Sequence, residues 1–197
     1  MAQQQNGSDA QSATLINDHH LPELMRRCSN RLLDVVVPAP KSVSVLWGVH
    51  NRKRKTRLIH DAHMSAVTRA VVDLQKQAGM VQIGAAWYDM PVTVYRLEHC
   101  TGVAEEPHLH THLLVDTELR DGQQRGSLDV SILQDALELV GLQYQVSLEQ
   151  ELWRRLQLGF EQRRRGTRQL CGIDEDLMKA FADGSCTIGL RQFTATA

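Results

Sequence analysis

HCTGVAEEPHLHTHLLVD, residues 99–116, holds four of the nine histidines in the 197-residue chain, and its reading decides the fold. His108, His110 and His112 fall at alternate positions where the chain turns apolar and β-branched. Residues i and i+2 of a strand share a face, which sets His110 and His112 about 7 Å apart on one side. His108 continues the row.

Working outward, PVTVYRLEHC (91–100) reads as a preceding strand, and TGVAEEP as the glycine-containing loop of a hairpin. Antiparallel pairing lays the end of the first strand beside the start of the second. His99 then comes within reach of His110 and His112. Three neutral imidazoles converging from a hairpin suit a divalent cation with coordination positions left open for substrate or water. The competing reading is a set of ordinary surface or core histidines, and spacing alone leaves both open.

Beyond the hairpin, LPELMRRCSNRLL fits a short helix, and LLDVVVPAPKSVSVLWG a strand, a bend, then a further strand or helix start. Ile59, Ala62, His63, Ala66, Val67, Ala70, Val71, Leu74 and Ala78 recur at helical spacing, and Gly79 supplies a stop. ELRDGQQRGS reads as a loop. A long helix over 130–158 follows, interrupted or kinked near Gly141. TRQLCGI fits a short strand, and DEDLMKAFADG a short helix opened by Asp174. No internal repeat is present. Helices mixed with a few strands, two of them a hairpin, predict an α+β domain. It spans 14–197, after a disordered polar tail at 1–13 rich in Gln, Asn, Ser and Ala.

Charged residues make up 23% of the chain and cancel to a net charge of -1, the composition of a soluble globular protein. No apolar run approaches a membrane span, and the start lacks a secretory pattern. Cys28, Cys100, Cys171 and Cys186 form no CxxC pair, which favours reduced thiols in the cytoplasm over a zinc ribbon or disulfide framework. Basic residues gather in NRKRKTR (51–57), WRR (153–155) and QRRRGTR (162–168), so near-zero net charge does not exclude a nucleic-acid partner.

HCTGVAEEPHLHTH resembles the metal-binding signature of TrwC/TraI-type conjugative relaxases, HUH-type strand transferases whose pattern runs close to H-x-T-S-R-x-x-D-P-Q-L-H-T-H. DVVVPAPKSVSVLWG (34–48) resembles the same family's D-[LV]-T-F-S-A-P-K-S-V-S-V-L-W block, and AHMSAV (62–67) its A-H-x-x-A-V helix motif. Three motifs in the same order over residues 34–116 are far more specific than a bare HxH; the remainder fits only loosely.

The resemblance implies a central antiparallel β-sheet flanked by helices, with the metal on the sheet and the long helices forming part of a DNA cleft. It implies that His99, His110 and His112 hold a divalent ion at the scissile phosphate of single-stranded DNA at a transfer origin. Zinc, nickel and manganese suit three imidazoles better than magnesium. Asp34 takes the family aspartate's place, orienting a ligand imidazole or helping to remove the nucleophile's proton. Lys41 and Ser42 would contact DNA phosphate, or equally form a turn and a cap.

The departures concern catalysis. The family's nucleophile is a tyrosine well upstream of the APKSVS block, whereas Tyr88, Tyr95 and Tyr144 all follow Asp34. Tyr95 shares strand parity with His99 but lies about 13 Å along the strand from it, the place of a packing residue. Gly102 and Val103 replace the family's Ser-Arg. The segment carrying the tyrosines and the first sheet strand is expected to be missing. That would open an edge for a homo-oligomeric contact or a second polypeptide. The sequence therefore predicts a relaxase-like protein that nicks and transfers a strand if active. The alternatives are an inactive DNA-binding remnant or regulator, and a three-histidine metal hydrolase using water.

Overall fold

The computed structural model describes residues 13–28, 31–49, 53–101, 106–162, 168–181 and 189–192. The tail expected at 1–13 lies outside these, except for Ala13, as does Cys186. The strands are β1 (Thr14–Ile16), β2 (Leu32–Pro38), β3 (Met80–Ile83), β4 (Ala86–Asp89), β5 (Val94–Thr101) and β6 (Pro107–Asp116). They continue with β7 (Glu118–Asp121), β8 (Gln124–Ser127), β9 (Phe160–Gln162), β10 (Arg168–Leu170) and β11 (Gly189–Gln192). The helices are α1 (Leu21–Cys28), α2 (Lys41–Val49), α3 (Lys53–Ala78), α4 (Val130–Leu156) and α5 (Glu175–Ala180).

The central sheet runs β1-β5-β6-β2-β11. Its body is antiparallel, as the alternating hairpin pattern predicts, and β1 adds a parallel edge beside β5. The fold is therefore α+β with a mixed sheet, and three residues of β1 occupy the edge that the missing-strand expectation left open.

Strand alternation divides the two faces chemically. Leu109, Leu113 and Val115 of β6 join Val35 and Val37 of β2 in the main core, together with Ala62, Ala66 and Ala70 of α3 and Val140, Leu148 and Leu152 of α4. The other face carries His108, His110 and His112, then Leu114. Leu114 packs under α1 with Leu24, Cys28 and Leu32. Both long helices thus cover the face opposite the histidines. The apolar rows of α3 and α4 leave them no other sheet surface to cover.

Gly79 ends α3 where the chain turns into β3. A Cβ there would stand 2.7 Å from the Met90 carbonyl oxygen, which only glycine avoids. α4 begins at Asp129, whose side chain accepts from the Ser131 amide, and runs unbroken through Gly141. A glycine there costs about 1 kcal/mol, which seven buried side chains along the helix outweigh. Gly122, at φ 57°, and Gln123 turn what reads as a loop into the β7–β8 hairpin, closed by the Asp121 and Gln124 pair. Among the described residues no helix is long and apolar enough to cross a membrane.

Candidate metal centre

The register pairs His99 directly with His110, and Leu97 with His112. That pairing turns a period-two pattern into a triangle. Ring centroids lie 5.3 Å apart for His99 and His110, 4.9 Å for His99 and His112, and 5.1 Å for His110 and His112. One ligand nitrogen from each falls within 4.8 Å of the others.

Hydrogen bonding fixes which nitrogens are available. His112 Nδ1 lies 2.9 Å from both carboxylate oxygens of Asp34, on the neighbouring strand β2. His110 Nδ1 lies 2.8 Å from the His108 carbonyl. A carboxylate and a carbonyl only accept, so both Nδ1 atoms carry a proton and both Nε2 atoms are the nitrogens left to face a metal. An oxygen holding Nδ1–H is the arrangement that orients and strengthens metal-ligating imidazoles. Besides its ring contacts, His99 makes a long 3.4 Å contact to the exposed Asp18 carboxylate. The donor set fits a divalent cation that accepts three nitrogens at about 2.0–2.1 Å and keeps positions open. Burial above all holds His110 down to about 4, so its imidazole is neutral at neutral pH.

His108 stands apart from this triangle. Its ring lies 4.6 Å from that of His110, and its Nδ1 is buried with no partner among the described residues. Burial lowers its pKa, with Lys41 a second cause. Lys41 opens α2 and is 7% exposed, its ammonium also buried without a partner. Two orphaned polar groups beside a histidine cluster mark a place for a polar ligand.

Its neighbour Ser42 has a different fate. Fully buried, Ser42 accepts through its hydroxyl from the Leu170 amide at 2.8 Å, while its own amide donates to Gln169 at 2.9 Å. That side chain clamps α2 to β10. Asp34 is 5% exposed.

All three tyrosines lie away from the triangle. Tyr95 packs against the cluster under α1, Tyr144 is buried in the main core, and Tyr88 lies on β4 of the β3–β4 hairpin. The histidine of AHMSAV is structural. His63 is sealed in the core, with Nδ1 2.7 Å from the Tyr144 hydroxyl and Nε2 3.0 Å from Thr111 Oγ1. Its amphipathic spacing already marked it as inward-facing. The family pattern, with glutamine in its place, already leaves His108 out of the ligand set, but does not show its burial beside Lys41.

The α+β fold thus carries, on one face of its sheet, a carboxylate-backed triad of imidazoles that could hold a metal ion. The chain belongs to the TrwC relaxase family, whose model matches residues 2–189. It is similar to the conjugative relaxase TrwC in complex with oriT DNA in its metal-bound structure, with 24% identity and a TM-score of 0.66. That match covers 76% of this chain and 52% of that one. A second similar structure is TrwC complexed with a 27-mer DNA comprising the recognition hairpin and the cleavage site, at 24% identity and a TM-score of 0.64. It covers 75% of this chain and 53% of that one. The chain thus spans about half the length of the relaxases it matches, and at this identity the likeness establishes the fold. No curated protein matches the chain.

Proposed function

We propose that this chain binds single-stranded DNA at a transfer origin and presents one phosphodiester to a divalent cation held by His99, His110 and His112. The observation that carries this reading is the triangle of imidazoles, with His112 fixed by Asp34 on the next strand. Such an ion, when bound, supplies Lewis-acid stabilisation of charge on the phosphoryl oxygens. Asp34 orients His112 and sets its tautomer. Lys41, buried beside His108, offers an ammonium to a phosphate oxygen, and Ser42 serves by anchoring the first turn of α2 that carries it. Manganese, zinc and nickel suit this donor set, and magnesium suits it less. Residues 14–197 form the working unit, acting in the cytoplasm, where Cys28, Cys100 and Cys171 stay free thiols.

The placement of the tyrosines favours a second reading, in which DNA is held without covalent attachment. Tyr144 is bonded to His63 in the core, and Tyr95 packs under α1. The test is a denaturing gel of labelled origin single strand with Mn²⁺ or Mg²⁺, comparing wild type with His110→Ala/His112→Ala. A covalent adduct lost in the variant establishes strand transfer. Free products without an adduct indicate a water nucleophile. Metal-dependent retention on a native gel without cleavage indicates a DNA-holding protein, and neither cleavage nor retention refutes the proposal.

A further inference from the structure

A second polar site lies on the histidine face of the sheet, at the far end of α1. A cavity of about 290 Å³ opens there, its walls including Arg27, Arg31, Arg120, Asp116, Glu118 and Tyr95. Three guanidinium groups face two carboxylates, a surplus of positive charge. The carboxylates are already shared out. Arg31 pairs with Glu118 and lies 3.4 Å from Asp116, while Glu118 is also reached by Arg120 at 2.7 Å and by Arg125 at 3.4 Å. Cys28 donates its thiol to Asp116 at 3.7 Å. Arg27 lines the cavity and makes no close ion pair among the described residues, its charge acting at longer range on Glu23. Guanidinium forks match phosphate geometry and bind it as charge-assisted, often bidentate, pairs.

The position suggests whose phosphate it is. Helix α1 runs between the two sites: Asp18, just before it, touches His99, and Cys28, its last residue, touches Asp116. Along β6, His112 and Asp116 share a face four residues apart, about 13 Å. Leu114 between them is buried under α1, so a DNA strand joining the two sites passes over or beside that helix, a path of a few nucleotides.

We propose that this arginine cavity binds a phosphate of the same DNA strand whose scissile phosphate lies at the histidine triad, anchoring the strand a few nucleotides away. The inference rests on the DNA reading above. Two measurements separate its failure from the failure of that reading.

In the first, inorganic phosphate is titrated by calorimetry into protein carrying His110→Ala/His112→Ala, which removes the metal site. Binding is expected, and adding Arg27→Gln, a substitution on an exposed side chain, should abolish it. Arg120→Gln serves as a second variant, and circular dichroism checks that each folds. Phosphate binding that is absent, or indifferent to both substitutions, overturns the proposal.

In the second, otherwise wild-type protein binds origin single strands with one methylphosphonate linkage moved along the sequence. Arg27→Gln should reduce the slope of log K against log salt by about 0.7, the value for one phosphate contact on a single strand. One neutral linkage, a few nucleotides from the cleavage position, should weaken wild type but not the Arg27→Gln variant. Phosphate binding without any such coupled linkage identifies a free-phosphate pocket and overturns the strand assignment. Phosphate binding by a protein that does not bind DNA at all refutes the DNA reading itself, and the strand assignment with it.

Discussion

Acid should loosen this fold through His63, and the structure sets the size of the effect. Burial above all holds His63 at about 3, against 6.5 for a free imidazole. The folded protein keeps the ring neutral, bonded to Tyr144 and Thr111, while the unfolded chain takes up a proton below 6.5. The folded pKa being the lower one, this contribution is intact above 6.5. It is lost progressively as pH falls towards 3, and shrinks no further below that. At pH 5 the loss is about 2 kcal/mol, from 1.36 kcal/mol per unit over the interval from 6.5. Urea unfolding at pH 7.5 and pH 5, in EDTA, measures it. His110, also held low by burial, adds its own acid sensitivity, so the quantity to read is a difference. His63→Gln should be less stable than wild type at pH 7.5 yet lose about 2 kcal/mol less on moving to pH 5. Equal losses in the two proteins would refute the claim that His63 is buried neutral.

The remaining expectations concern the metal and the framework that holds it. Asp34→Asn should weaken Mn²⁺ or Ni²⁺ binding about 10- to 100-fold by calorimetry, because it disturbs the acceptor that fixes His112. Either ion at a hundredfold excess over its Kd should stabilise wild type by about 2.7 kcal/mol, and His110→Ala/His112→Ala should show no shift in a thermal melt. Ser42→Ala should cost about 1–3 kcal/mol in urea, leaving the Leu170 amide buried without its acceptor, while metal affinity stays unchanged. Gly48→Ala should cost about 1–3 kcal/mol, since its Cβ would stand 2.4 Å from Pro107 side-chain carbons at the entry to β6.

The histidine hairpin was legible because a strand has a period of two and a short loop leaves little choice of register. His99 meets His110 in that register, although a bulge between His99 and Thr101 shifts it next to the loop. The pairing of Asp34 with His112 was not legible from spacing, since 78 residues separate them, and only the family resemblance pointed there. Helix α3 announced itself by its apolar row, but which sheet face it would cover depended on the parity of β2 and β6 taken together. In the sequence α4 reads as interrupted or kinked near Gly141, because local propensity there takes no account of tertiary burial. The β3–β4 and β7–β8 hairpins were too short for their alternation to stand out. Lys41 and Ser42 looked alike in the motif. On a helix, adjacent side chains point in different directions, which left one cation beside the histidines and locked one hydroxyl to β10. Arg27, Arg31 and Arg120 come from different segments, so no local pattern could have gathered them.

The sealed ammonium of Lys41 has a consequence for how this protein tolerates change. An ammonium buried without a hydrogen-bond partner among the described residues works against the fold, and a ligand's negative charge would relieve it. Lys41→Met, which keeps the length and removes the charge, should therefore melt at a higher temperature than wild type while binding DNA more weakly. Robustness and ligand affinity pull in opposite directions at that position. A screen for thermostable variants would select against the lysine, and a screen for DNA retention would restore it.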